Sequence, residues 1–123
     1  MSGGGEAHVR GRWGEALVAE DLRRKGWTVV ATNFRCRLGE LDVVAKNEQY
    51  LIFMEVKLRK NDAYGSPGAA VDWRKQEKLR AAAEVYLVQH PTKLQPRFDV
   101  VEIYAPQGAR TAEPEILHWE NAF

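Results

Sequence analysis

The run Tyr50-Leu51-Ile52-Phe53-Met54-Glu55-Val56-Lys57 constrains this chain more than any other stretch. It opens with consecutive large apolar residues, the pattern of a strand buried on both faces in the middle of a sheet. Side chains alternate along a strand with period two, so Leu51, Phe53, Glu55, Lys57 and Arg59 share one face while Ile52, Met54, Val56 and Leu58 share the other. A fold that contains such a strand must cover both sides of the sheet. One of the two faces also passes from apolar residues into charge.

On the preceding strand Glu40, Asp42 and Val44 are expected to share a face, with Gly39 marking a tight approach or a turn. If the two strands form a hairpin through Lys46-Asn47-Glu48-Gln49, Asp42 comes to lie beside Glu55 and Lys57. Clustered, partly buried carboxylates repel one another unless they are protonated or neutralised by a cation. Their hard oxygen ligands favour Mg²⁺ or Mn²⁺.

Composition removes other chemistries. The chain has 123 residues, 45% of them hydrophobic, which suits one domain with a single core. Cys36 is the one cysteine, so neither an internal disulfide nor a thiolate zinc site can form. His8, His90 and His118 lack ligand spacing. Ser2 and Ser66 are the two serines, and neither is a credible hydrolase nucleophile. No apolar run approaches a membrane span, and the first residues hold no apolar leader segment, so a cytoplasmic protein without a membrane partner is expected. The net charge of +1 is unevenly spread: fifteen Lys and Arg face eleven Asp and Glu through residue 80, and three face six thereafter. That asymmetry suits a polyanion approaching one side, and it equally suits an ordinary solvated surface.

Residues 1–9 read as a flexible lead-in to a single domain spanning 10–123. A helix is predicted over 10–25, closed by Gly26. On a helical wheel Gly11, Glu15, Val18, Ala19, Leu22 and Gly26 fall in one arc, which puts the Glu15 carboxylate on the packed face. The alternative is a first-turn acid favoured by the helix dipole. Trp27–Thr32 reads as a strand, and 33–38 leads to Gly39. After the hairpin comes a turn-rich loop at 61–68 that would overhang the charged strand end. Asp72 is the expected cap of a helix ending near His90, before Pro91. Its stripe of Leu79, Ala82, Ala83 and Tyr86 continues into Lys75 and Gln76, which therefore point toward the sheet. Arg97–Tyr104 and Glu115–Trp119 are the last strands. The four tryptophans, Trp13, Trp27, Trp73 and Trp119, read as packing.

Glu15, Asp42, Glu55-Val56-Lys57 and the inward Lys75-Gln76 together resemble the PD-(D/E)xK nuclease superfamily, although Leu41 stands where that name has proline. More closely, Gly39-Glu40-Leu41-Asp42, Phe53-Met54-Glu55-Val56-Lys57-Leu58-Arg59, Tyr64-Gly65 and Arg97-Phe98-Asp99 resemble the YraN-like family of uncharacterised bacterial proteins. The resemblance covers about residues 10–105. It implies an α/β, restriction-endonuclease-like three-layer core: a central mixed sheet flanked by helices in the order α-β-β-β-α-β.

The activity implied is metal-dependent hydrolysis of nucleic-acid phosphodiesters, DNA ahead of RNA. Asp42 and Glu55 would hold Mg²⁺ or Mn²⁺ with the Val56 carbonyl and Glu15, and Glu40 is an alternative ligand. Lys57 would orient or deprotonate water and Gln76 would position water or phosphate. Arg35, Arg59 and Lys75 would contact the nucleic acid. One site per chain makes a homodimer one route to cutting both strands. The competing readings are a non-catalytic nucleic-acid-binding module and an interaction protein with a buried charge network. Lys57 also reads as a strand-end cation paired with Glu55, Arg35 and Arg59 as solvated cations, and Cys36 as a small hydrophobe.

Overall fold

The two-sided apolar run becomes β3, Tyr50–Arg59, the central strand of a five-stranded sheet. The computed structural model describes the backbone of residues 2–60 and 71–123, with side chains from residue 12 onward in the first stretch. The loop expected at 61–68 lies outside the described residues. Ahead of β3 come α1 (Ser2–Arg24), β1 (Thr28–Cys36) and β2 (Gly39–Lys46); after it come α2 (Trp73–Gln89), β4 (Gln95–Tyr104), a 3₁₀ turn (Gly108–Arg110) and β5 (Glu115–Trp119). The strands lie side by side in chain order. Each neighbouring pair is antiparallel except β3 and β4, which run parallel. A parallel neighbour needs a crossover, and α2 lies on that connection. The result is an α/β fold with an open mixed sheet and two helices among the described residues.

Alternation on β3 divides the core in two. Leu51 and Phe53 pack with Leu79, Ala82, Ala83 and Tyr86 of α2, while Ile52 and Met54 pack with Val18 and Leu22 of α1. The helices therefore cover opposite faces, as the sequence implies. Each fully buried Val, Leu, Ile, Phe or Met among them contributes about 1.5–3 kcal/mol, so the two helices are fixed on the sheet independently of their own helix propensity. Gly26, at φ +94°, terminates α1: the Trp27 amide donates to the Leu22 carbonyl at 2.9 Å and that of Gly26 to Arg23 at 3.1 Å, a Schellman closure. Asp72 caps α2 by accepting from the Lys75 amide at 2.9 Å, and the helix stops at His90.

Three boundaries differ from the sequence reading by two residues or more. Helix α1 begins at Ser2 rather than residue 10, because extending a helix whose packed turns already form the nucleus adds a hydrogen bond for each residue fixed. Strand β4 begins at Gln95, before Pro96, which is tolerated because β5 pairs only from Val100 onward and leaves that edge open. Strand β1 does not end at Thr32. It continues through Asn33, whose φ of +54° bends the strand without ending it.

That bend changes which residues face which helix. Ala31 and Phe34 both pack on the α2 side, as do Val44 and Leu41 on the partner strand, although residues three apart on a regular strand face opposite ways. The expectation that Glu40, Asp42 and Val44 share a face is corrected accordingly: Val44 faces α2, and Glu40 gathers with Glu15 of α1. Gly39 serves the close approach rather than a turn conformation. A Cβ there would stand 2.8 Å from the Lys78 carbonyl oxygen of α2.

Midway along β4, Asp99 is fully buried and fully engaged. Arg97 grips both oxygens at 2.9 and 2.8 Å, His118 Nε2 lies 2.7 Å away and the Asn121 amide donates at 2.9 Å. Burial alone pushes this carboxyl up, but the His118, Arg97 and Asn121 contacts outweigh it and hold the group below its usual value.

Gly39→Ala should cost about 1–3 kcal/mol, because a backbone carbonyl on a packed helix cannot step aside. Urea unfolding reads this, and wild-type stability would show that α2 yields. Asp99→Ala should cost about 3–5 kcal/mol by leaving the buried Arg97 with only the exposed Glu120, 3.6 Å away, as counter-charge. Because the Asp99 pKa is lowered in the fold, its contribution is present above the unfolded value near 4 and lost as pH falls through the folded value. Acid unfolding of Asp99→Asn should accordingly start from a lower stability and vary less with pH below about 4.

Candidate metal centre

The pairing of β2 with β3 runs from Lys46–Leu51 to Val43–Met54 and stops there. The next two residues across the hairpin are Asp42 and Glu55. In place of a ladder bond, Asp42 Oδ2 accepts the Val56 amide at 2.9 Å. The carbonyl of an extended residue leaves the strand on the same edge as its amide, so the Val56 oxygen is directed into this gap with Asp42.

Helix α1 delivers Glu15 to the same place. Its side chain is only 7% exposed, and its Oε1 is buried without a hydrogen-bond partner. Ligand oxygens of Glu15, Glu40 and Asp42 lie within 4.8 Å of one another. Burial raises the Glu15 pKa, the Asn33 side chain offsets part of the rise, and Glu40 adds to it. Burial also pushes Asp42 up to about 7, helped by the negative charge of Glu55, opposed by the Val56 amide, and helped again by Glu15 and Glu40. A carboxyl that titrates near 7 among three others is a group short of positive charge.

Glu55 stands on the α2 side, 6% exposed. It is outside the close triad. Lys57 Nζ and Lys75 Nζ each lie 3.5 Å from its Oε1. The sequence thus brought Glu15, Asp42, Glu55, Lys57 and Lys75 to one neighbourhood, and the structure adds Glu40 to the inner cluster, the alternative its strand position suggested. Gln76 donates its amide to the Val71 carbonyl at 2.9 Å, which fastens it to the start of its own helix. Arg35 is exposed beside Glu40, its cross-strand partner, at 3.5 Å.

Arg59 is placed elsewhere. Its side chain is 13% exposed, and its Nε donates to Glu102 Oε2 at 2.9 Å, so it ties β3 to β4 inside the fold instead of presenting a solvated charge. The signal was Glu102 itself, a carboxylate within an apolar run on the adjacent strand. Asn33 is the residue that sequence reasoning missed. It bends β1 opposite Asp42 and its side chain acts on Glu15; an asparagine inside a strand-like pattern, tolerant of left-handed backbone, was the available clue.

The donor set fits a hard divalent cation. Three carboxylates and a backbone carbonyl are oxygen ligands of the type Mg²⁺ and Mn²⁺ select. The orphaned Glu15 oxygen and the raised Asp42 pKa are what such a cation would relieve.

The family model described as "Uncharacterised protein family UPF0102" matches residues 14–103. A UPF0102 protein of Caldanaerobacter subterraneus subsp. tengcongensis is 39% identical over 114 residues, covering 92% of this chain and 93% of that one. One from Syntrophotalea carbinolica is 42% identical over 114 residues, with 92% and 89% covered. Another, from Caldicellulosiruptor bescii, is 43% identical over 96 residues, with 76% and 81% covered. No helix among the described residues is long and apolar enough to cross a membrane.

Without a cation, the folded protein holds an extra proton at Asp42 between its unfolded value near 4 and its folded value near 7, so stability falls as pH rises across that window. Mn²⁺ bound at the cluster would replace the proton. Its increment in Tm should therefore be larger at pH 8 than at pH 5, and Asp42→Asn should flatten the pH slope and remove the increment. Glu15→Gln should fold normally and weaken Mn²⁺ binding in a calorimetric titration. An unchanged Mn²⁺ increment in both variants would place the ion elsewhere.

Proposed function

The chain belongs to the uncharacterised protein family UPF0102, and from its carboxylate cluster we propose that it is a Mg²⁺- or Mn²⁺-dependent nuclease with a restriction-endonuclease-like core. One observation carries the reading: Asp42 sits in the gap where β2 leaves β3, between Glu15 and Glu40 on one side and Glu55 with Lys57 on the other. Acids brought from a helix and two strands into a partly buried gap cost stability that a plain scaffold has no reason to bear. The helix, hairpin, crossover helix and parallel strand arrive in the order the superfamily resemblance implies.

In this reading Asp42, Glu15 and Glu40 would hold the cation with the Val56 carbonyl, and Glu55, opposite Asp42 across the hairpin, would add a further carboxylate. The bound ion would supply Lewis acidity at the phosphate and a more acidic water. Lys57, beside Glu55 and half-buried, orients the attacking water and faces the charge that develops on the phosphate. Lys75, more exposed, draws the phosphate toward Glu55. Arg35 contributes charge at the rim. The substrate is nucleic acid, with DNA ahead of RNA.

A second reading, a nucleic-acid-binding module without catalysis, is favoured by one fact. Two ammonium groups already flank Glu55, which neutralises that carboxylate without a metal. The readings part at Lys57. Lys57→Ala should leave nucleic-acid affinity within a few-fold and lower single-turnover cleavage with Mg²⁺ or Mn²⁺ by about 10²-fold or more. Duplex, single-stranded and branched substrates should all be tried. A wild type that binds them but cleaves none with either ion would establish the binding module instead.

A further inference from the structure

Trp73, the first residue of α2, is left exposed among the described residues. Its side chain is 68% exposed, which corrects the reading of all four tryptophans as packing. An indole left in water at a helix start is a burial forgone, since covering such a ring is among the larger apolar gains available to a side chain. The Arg74 guanidinium lies over the ring, 5.6 Å from its centroid, and Lys75, two residues along, reaches Glu55. The aromatic platform is thus attached to the same helical turn that enters the carboxylate site.

The charge around it is directional. Arg74, Lys75 and Lys78 are exposed on the first turns of α2. Lys78 also lines a hollow with Arg35, Arg37, Leu38 and Glu40 at the β1–β2 turn. The capping Asp72 and Glu77, one turn beyond Trp73, disfavour a phosphate on those sides, which leaves Arg74, Lys75 and Lys78 as the cations leading from the indole to the β1–β2 turn. That path passes the carboxylate cluster at Glu40 and Glu55.

We propose that Trp73 is a stacking platform for one unpaired base, and that the substrate is therefore a single-stranded stretch of nucleic acid whose backbone follows Arg74, Lys75 and Lys78 past the carboxylates. A paired base cannot offer its face to a side chain without leaving the duplex stack, whereas an unpaired base presents it at little cost. One exposed indole followed by a row of cations is the arrangement that single strands use, stacking at one point and phosphate contacts along the rest. The inference rests on the nucleic-acid reading of the site and narrows it to a substrate class.

The test is fluorescence anisotropy with a labelled oligothymidylate and a duplex of equal length, in EDTA so that the strand stays intact. Trp73→Ala should weaken oligothymidylate binding by about tenfold, and Trp73→Phe should keep it within about threefold. Duplex affinity should change less than about twofold in both. The salt dependence of oligothymidylate binding should be unchanged in Trp73→Ala and shallower by about 0.7 in Lys78→Gln. Wild-type affinity in Trp73→Ala, an equal loss on the duplex, or no binding of oligothymidylate by the wild type would overturn the proposal. Cleavage with Mn²⁺, measured in parallel, separates the two readings. Trp73-dependent binding without cleavage removes the nuclease and keeps the platform, while cleavage indifferent to Trp73 does the reverse.

Discussion

The parting of β2 from β3 after the Val43–Met54 pair is the constraint from which the rest of the site follows. A hairpin zipped to its end would spend the Val56 amide on a backbone carbonyl and leave no gap for a side chain. Here β2 is bent away, because β1 carries Asn33 in left-handed backbone opposite Asp42 and both strands change facing at that level. The orphaned Val56 amide is then satisfied by Asp42, as a buried donor must be. One departure from regular pleating thereby opens the gap and fixes the carboxylate that fills it. It also brings Glu40 round to the side of α1, where Glu15 waits.

The molecule contains two buried aspartates whose environments oppose each other, and the contrast separates structure from chemistry. Asp99 is surrounded by three donors, one of them bidentate, and its pKa is held low. It is a closed account. Asp42 has one backbone donor and a ring of carboxylates, and its pKa is driven to about 7. The Arg59–Glu102 pair belongs with Asp99, being a buried ion pair of opposite charges across parallel neighbours. Where the fold needed a carboxylate for cohesion it supplied a cation from the chain. At Glu15 and Asp42 it supplied other acids, with the exposed Arg35 paired only to Glu40 at the rim, which is the arrangement expected of a site completed by something outside the chain.

Much of this was legible in the sequence, and what was not shares a physical reason. The central strand, both helices, their caps at Asp72 and Gly26, and the inward aim of Glu15 followed from periodicity and terminal chemistry, which are local signals. The hairpin put Asp42 near Glu55 by simple register. Three features escaped. The bend at Asn33 depends on one residue's tolerance of positive φ, which no period reveals. Arg59 looked like its neighbours on a charged strand end until β4 set Glu102 beside it, a contact between residues 43 apart in sequence. Trp73 carried an apolar side chain at a helix start, and whether anything covers such a residue is decided by the surface around it, not by the helix that bears it.

The site is also divided between the two layers of helix. Glu15 comes from α1 on one face, Lys75 from α2 on the other, and Asp42 lies in the plane of the sheet between them. Each helix is seated by its own half of the core, so the separation of acid from cation across the sheet is set by packing far from the gap. Gly39 shows how tight that setting is, since a single methyl group there would meet the backbone of α2. Pushing α2 outward would carry Lys75 from Glu55 while leaving Glu15 in place. The acidic cluster and the ammonium that accompanies it would then come apart without any change in a residue that touches either one. Because a close-packed interior transmits such a shift, the geometry of the gap becomes a direct readout of how both helices are packed.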